Sequence, residues 1–137
     1  HLLVTPGGTR EGCRPFTERY TVRWTGTGYL KLALKYGLDL IPVVGAGTDD
    51  TYIGLNDGHA LGERLHLPFG LPCWLGVGPT GLWPASPPFP VKIRQVVGPR
   101  IRLPKLDRAD PEALPRLHRE VVAQVQARLD HARSLGP

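Results

Sequence analysis

Gly28-Tyr29-Leu30-Lys31-Leu32-Ala33-Leu34-Lys35-Tyr36-Gly37, followed at once by Leu38-Asp39-Leu40-Ile41-Pro42-Val43-Val44, is the stretch on which the fold turns. Within residues 28–36, Leu30, Leu32, Ala33, Leu34 and Tyr36 cover much of a helical surface, while Lys31 and Lys35 share the wet side. Thr27 stands where a helix N-cap belongs, and Gly37 where a left-handed C′ residue ends a helix. Residues 38–44 are an apolar run of the kind buried on both faces of a parallel sheet. Pro42 interrupts the run. Lacking an N–H for the ladder, it belongs at an edge, a bulge or a strand end. Upstream, Tyr20-Thr21-Val22-Arg23-Trp24 alternates large with polar residues and reads as a strand with one buried face. Strand, helix and strand in that order predict a βαβ unit, whose right-handed crossover builds a parallel sheet. The expected class is therefore α/β, a mostly parallel β-sheet flanked by helices.

Toward the amino end, Leu2-Leu3-Val4 reads as a buried strand emptying into the loop Thr5-Pro6-Gly7-Gly8-Thr9-Arg10-Glu11-Gly12. Adjacent glycines let a backbone approach a ligand closely. Thr9, Arg10 and Glu11 add a hydroxyl, a guanidinium fork and a carboxylate. By itself this stretch fits a strand-ending turn with a surface Arg–Glu pair as well as it fits a binding loop.

Toward the carboxyl end, Gly45-Ala46-Gly47-Thr48-Asp49-Asp50 leaves the strand where open α/β sheets place their ligands. Asp49-Asp50 reads as a helix cap in preference to a metal pair, since no further ligand cluster accompanies it. A short helix is predicted around 58–66, with His59 and His66 at its surface. From Leu67 to Val91 there is no charged side chain, but seven prolines, four glycines and the rings of Phe69, Trp74, Trp83 and Phe89. The prolines forbid a regular spanning helix. Such a segment lines an apolar tunnel, lies in a membrane interface or packs over the core. Residues 91–97 alternate as a strand that Gly98-Pro99 ends. A final helix over 110–133 takes Asp110 as N-cap, Pro111 at its first position, and a stripe of Leu114, Leu117, Val121, Val125 and Leu129. His118 and His131 are expected on its wet side.

The 137 residues suit one domain, and 41% apolar content is that of a globular chain. A net charge of +5 favours anionic partners. The Lys and Arg residues are scattered and no nucleic-acid signature is present, so a nucleic-acid partner is not expected. Cys13 and Cys73 stand sixty residues apart without a CxxC partner, which argues against zinc; a reduced setting is preferred over a disulfide. The chain opens on His1, already inside an apparent strand, and reads as a piece of a longer protein.

The order of these features resembles the carboxyl-terminal portion of the glycerolipid (lysophospholipid) acyltransferase superfamily, across nearly the whole chain. The features that carry the resemblance are, in order, Pro6–Glu11, the strand ending in Trp24, the helix Thr27–Leu34, Leu40–Val44, the loop Gly47–Tyr52, the proline-rich segment, the strand Val91–Ile101 and the terminal helix. The family's third block usually reads Phe-Pro-Glu-Gly-Thr-Arg; here Gly7 stands at the glutamate. That form is similar to the diacylglycerol and monoacylglycerol acyltransferase branch, and it disfavours a phosphate-bearing acceptor. Pro42 matches the proline of the fourth block.

The resemblance implies an O-acyltransferase that moves an acyl group from acyl-CoA or acyl carrier protein to a glycerolipid or lipid-alcohol hydroxyl. It needs no other cofactor, and it makes peripheral membrane contact on the cytoplasmic face. It assigns acceptor binding to Gly7, Gly8, Thr9, Arg10, Glu11 and Pro42. The family's catalytic pair, His-x4-Asp, lies upstream of the third block, with the histidine as general base. Five residues after His1, His59, His66, His118 and His131 stand Pro6, Arg64, Leu71, Ala123 and Gly136, so the pair is absent from this sequence. The chain alone is expected to be inactive. The alternative from a different class is a non-catalytic lipid- or membrane-binding module. A phosphate-binding domain of another kind lacks the P-loop lysine.

Overall fold

The computed structural model describes residues 2–56, 58–67, 73–78, 80–106 and 110–136. The elements run α1 (Gly8–Gly12), α2 (Gly28–Tyr36), β1 (Val43–Ala46), β2 (Ile53–Gly54), α3 (His59–Arg64), β3 (Trp74–Leu75), β4 (Arg94–Val97) and α4 (Ala113–Ser134). Short 3-10 turns occupy Phe16–Glu18 and Thr48–Asp50.

α2 spans the expected residues. Its start differs from expectation: the Thr27 side chain makes no capping bond, and its carbonyl accepts the Lys31 N–H instead. Its end is as read. Gly37 turns left-handed at φ 60°, where a Cβ would be strained, and the Leu38 N–H reaches back to Ala33 O at 2.9 Å. α4 also follows its stripe, with Leu117, Val121, Val125 and Leu129 all buried. It begins at Ala113, two residues after the expected first position, Pro111. Asp110 still caps the approach, its Oδ1 accepting the Glu112 N–H at 2.9 Å.

The parallel sheet is not there. All strand pairing among the described residues is antiparallel: β1 with β4, and β2 with β3. The mostly parallel α/β architecture is therefore replaced by helices and two separate two-stranded ribbons. The run 38–44 was expected to be buried on both faces, but only one face is covered. Ile41 is 62% exposed, Val43 56% and its partner Val97 67%, while Val44 and Ala46 turn inward. An apolar run marks a strand but carries no count of its covered faces.

Residues 20–24 keep the predicted alternation, with Tyr20, Val22 and Trp24 half-buried and Thr21 and Arg23 exposed. The segment belongs to no ladder. The Gln126 side chain of α4 serves in place of a neighbouring strand: its Oε1 accepts the Val22 N–H at 2.8 Å and its Nε2 donates to Tyr20 O at 2.9 Å. One side-chain amide thus closes the hydrogen-bonded ring that a strand partner would close. Leu2, Leu3 and Val4 form no strand and are exposed, which corrects the reading of a buried strand at the amino end.

α4 packs across the inner face of the β1–β4 ribbon. The core is Leu30, Val44, Ala46, Ile101, Leu117, Val121, Val125, Leu129 and Ala132. Pro42 sits just before β1, buried, with its carbonyl accepting the Gly98 N–H at 2.7 Å. Between the Leu40–Ile101 bridge and the Val43–Val97 pair, Ile41-Pro42 face the three residues Gly98-Pro99-Arg100. The ribbon bulges there, as a proline without an N–H requires.

The uncharged segment contributes β3 and a tight turn, in which Leu75 bridges to Leu82 and the Trp83 N–H bonds Trp74 O at 3.0 Å. Tyr52 stacks on Trp74 at 5.8 Å between ring centres, and Trp74 meets Trp83 edge-on at 5.3 Å. Among the described residues, no helix is long and apolar enough to cross a membrane.

Gln126→Ala removes the clamp and leaves the Val22 N–H and the Tyr20 carbonyl without protein partners. The expected loss is about 1–3 kcal/mol, read as a lower urea midpoint with an unchanged slope. Gln126→Glu keeps the acceptor and loses the donor, and is expected to fall between Ala and the natural residue.

Candidate functional site

The Pro-Gly-Gly-Thr-Arg-Glu motif forms the approach to α1 and most of the helix itself. Gly8 bonds back to Thr5 O at 3.1 Å, and the Glu11 N–H to Gly7 O at 3.2 Å, so the helix turns tightly on the glycines. A Cβ on Gly7 would collide with the Glu11 carboxylate and its stem. Gly7 and Glu11 are thus a matched pair: the residue without a side chain leaves room for a carboxylate that arrives from one helical turn later. Thr9 and Arg10 lie within α1; what was expected of their side chains lies outside the described residues.

Glu11 is a hub. Its Oε2 accepts the indole N–H of Trp24 at 3.0 Å, and its Oε1 accepts the Arg23 backbone N–H at 3.3 Å. Arg14 leans over it, with Nη2 3.8 Å from Glu11 Oε1 and Nε donating to Glu11 O at 3.0 Å. The same guanidinium reaches Asp49 Oδ1 at 3.5 Å and donates to Thr21 O. The loop expected to bind ligand and the Gly-Thr-Asp-Asp turn are joined through this arginine.

Asp49 and Asp50 neither cap a helix nor sit in a metal cluster; among the described residues, no group of three or more possible ligand side chains gathers. They hold Tyr20. Asp49 Oδ2 accepts the Tyr20 backbone N–H at 2.6 Å, and Asp50 Oδ2 accepts the phenolic hydroxyl. Tyr20 has φ 63°, a left-handed backbone that a non-glycine residue adopts only under constraint. Burial, with help from the Asp50 hydrogen bond and charge, pushes its pKa up to about 12.

Behind Trp24, the edge of its ring meets Tyr29 at 5.3 Å. The Trp24 carbonyl accepts from His118 Nε2 at 2.8 Å, and His118 Nδ1 stands 3.1 Å from the Tyr29 hydroxyl. A carbonyl only accepts, so Nε2 carries the proton. His118 was expected in solvent; it is half-buried and fastens α4 to α2 and to residue 24. Burial pushes the Tyr29 pKa up to about 12.

In front of Arg14 opens a cleft of about 290 Å³, lined among others by Phe16, Arg19, Thr48, Asp49, Tyr52 and Trp74. The Arg19 guanidinium covers the Phe16 ring at 3.9 Å. The cleft is aromatic on one side and carries a few fixed polar groups on the other, the usual make-up of a small-molecule site. Gly12 and Arg14, which follow the motif, line it, whereas Gly7, Gly8, Glu11 and Pro42 are not among its lining residues. Sequence reading missed Arg14, Phe16, Arg19 and Tyr52 as lining residues.

No protein-family model, curated protein or solved structure matches this chain.

Tyr20 and Tyr29 share a consequence at high pH. Each has a folded pKa raised above 10 to about 12, so the stability from their neutral hydroxyls is complete below pH 10 and is lost as pH climbs through about 12. In an ultraviolet titration of tyrosinate, two rings are expected to ionise late. Tyr20→Phe and Tyr29→Phe should each remove one equivalent from that late phase; an unchanged late phase in both would contradict the assignment.

Proposed function

We propose that this chain forms the acceptor-side portion of an O-acyltransferase, moving an acyl group from acyl-CoA or acyl carrier protein to the hydroxyl of a glycerolipid or lipid alcohol. The observation that carries the reading is Arg14. It ties Glu11, at the end of the Pro-Gly-Gly-Thr-Arg-Glu motif, to Asp49 of the Gly-Thr-Asp-Asp turn. Arg14 and Asp49 themselves line one cleft, together with the rings of Phe16, Tyr52 and Trp74.

In such a transfer the acceptor oxygen attacks the thioester carbonyl, the C–S bond breaks and the hydroxyl proton ends on the departing thiol. A general base must carry that proton. No His-x4-Asp stands in this sequence, and His118 is committed to Tyr29 and the Trp24 carbonyl. The chain's own part is therefore binding and orientation. Phe16, Tyr52 and Trp74 offer apolar surface to the acceptor. The neutral acceptor rests on the Gly-Gly form of the motif, with Gly7 where the acyltransferases of phosphate-bearing acceptors carry glutamate. The proposed setting is peripheral contact with the cytoplasmic face of a membrane.

The second reading, a lipid-binding module without catalysis, is favoured by the missing histidine–aspartate pair and by the uncharged segment 67–91.

Tryptophan emission tests both, because Trp74 lines the cleft. Monoacylglycerol or diacylglycerol in neutral micelles is expected to shift the emission, and Trp74→Phe to abolish most of the shift. Lysophosphatidic acid should bind more weakly. An equal response to empty micelles would replace the cleft reading by general surface adsorption. With labelled acyl-CoA and the same acceptors, the 137-residue chain alone is expected to form no product; measurable turnover would refute its assignment as a binding portion.

A further inference from the structure

The Thr48–Asp50 turn has a second side. There Tyr20, Gly47, Asp50, Lys92, Arg94 and Arg133 line a separate cavity of about 300 Å³. We propose that this cavity is a binding site for the phosphate group of a small molecule, held by Lys92, Arg94 and Arg133. The inference stands on this cavity alone and does not depend on acyl transfer.

Three cations face the cavity and one carboxylate does. That carboxylate, Asp50, is already engaged: it accepts the Tyr20 hydroxyl and lies 4.0 Å from Arg19 Nε. The cations are not. Among the described residues, neither Lys92, Arg94 nor Arg133 has a carboxylate partner. Arg94 uses one donor on Gly136 O and keeps the rest. Arg133 lies with its guanidinium carbon 3.9 Å from the centre of the Tyr20 ring. Stacking fixes the plane of that fork while leaving its N–H edge for a ligand.

The floor beneath it is rigid. Tyr20 is held at backbone N–H, backbone carbonyl and hydroxyl by Asp49, Gln126 and Asp50. Positive groups with no ion-pair partner around a pre-built floor suit an anion that brings several acceptor oxygens. The carboxyl end of α4 stands beside the cavity, and its dipole disfavours an anion. The Arg94 bond to Gly136 O answers part of that field. About 300 Å³ is roughly ten waters' worth of space, enough for a diphosphate or a phosphomonoester with part of its carrier.

The test is calorimetric titration at low salt with four probes: inorganic phosphate, pyrophosphate, ADP and glycerol 3-phosphate. Pyrophosphate is expected to bind more tightly than phosphate, with affinity falling as salt rises. Lys92→Gln and Arg133→Gln are exposed positions and should each weaken pyrophosphate about threefold to tenfold. Lys35→Gln, at the end of α2, serves as control and should leave it unchanged. Circular dichroism checks that the variants stay folded. A preference for ADP would point to a nucleotide as the source of the phosphate, and a preference for glycerol 3-phosphate to a lipid headgroup; either supports the site. Absence of pyrophosphate binding at millimolar concentration would overturn the proposal, as would equal losses in Lys92→Gln, Arg133→Gln and Lys35→Gln, which mark unspecific attraction to a basic surface. None of these outcomes touches Trp74, so failure here is separable from failure of the acceptor cleft.

Discussion

The seam between α4 and the inner face of the β1–β4 ribbon is the constraint on which the rest depends. A two-stranded ribbon is marginal in water, and a helix with one apolar stripe has nothing to gain alone. Val44 and Ala46 supply the ribbon's share, Leu117 to Ala132 the helix's, and Leu30 of α2, wholly buried, closes the end. Once α4 lies along this seam, its flank is committed as well. His118 and Gln126, about two turns apart, both reach residues 20–24. The core thus fixes the extended segment, the segment fixes Tyr20 and Trp24, and those two residues fix the Asp49–Asp50 turn and Glu11.

What the sequence made legible was periodicity. α2, the α4 stripe, the last four residues of the strand expected over 91–97 and the alternation of residues 20–24 follow from spacing of apolar residues and are present. What it hid was partnership. Period-two alternation says that one face of an extended segment is buried; it does not say whether the neighbour is a strand or a glutamine. The run 38–44 likewise cannot announce that Ile41 and Val43 stay bare. The βαβ inference failed at that step, because two strands with a helix between them pair in parallel only if they pair with each other. Here β1 pairs instead with residues some fifty positions later in the chain, and nothing local encodes so distant a choice.

The site divides the same way. Glu11 was visible because it closes the Pro-Gly-Gly-Thr-Arg-Glu stretch, and Gly7 because it belongs to the glycine pair. Arg14 was not, since an arginine gives no sign in the sequence of which carboxylates it will join. Asp49 and Asp50 were noticed as a pair and assigned the wrong duty, since adjacent carboxylates look alike whether they hold a helix end, a metal or a tyrosine. His118 was misplaced for a related reason. A polar residue on an amphipathic helix is counted as wet unless a second surface is known to lie over it.

The Thr48–Asp50 turn is a partition with a cavity on either side, Thr48 and Asp49 facing one and Gly47 and Asp50 the other. A partition that thin would couple two occupants if both cavities were filled. Any occupant that displaces the turn, or stiffens it, enters the equilibrium of the space behind it. By reciprocity the second occupant then acts on the first by the same factor. Tyr20 is bonded to one residue of each lining, through its backbone N–H to Asp49 and through its hydroxyl to Asp50, so it is the group that joins the two sides of the partition.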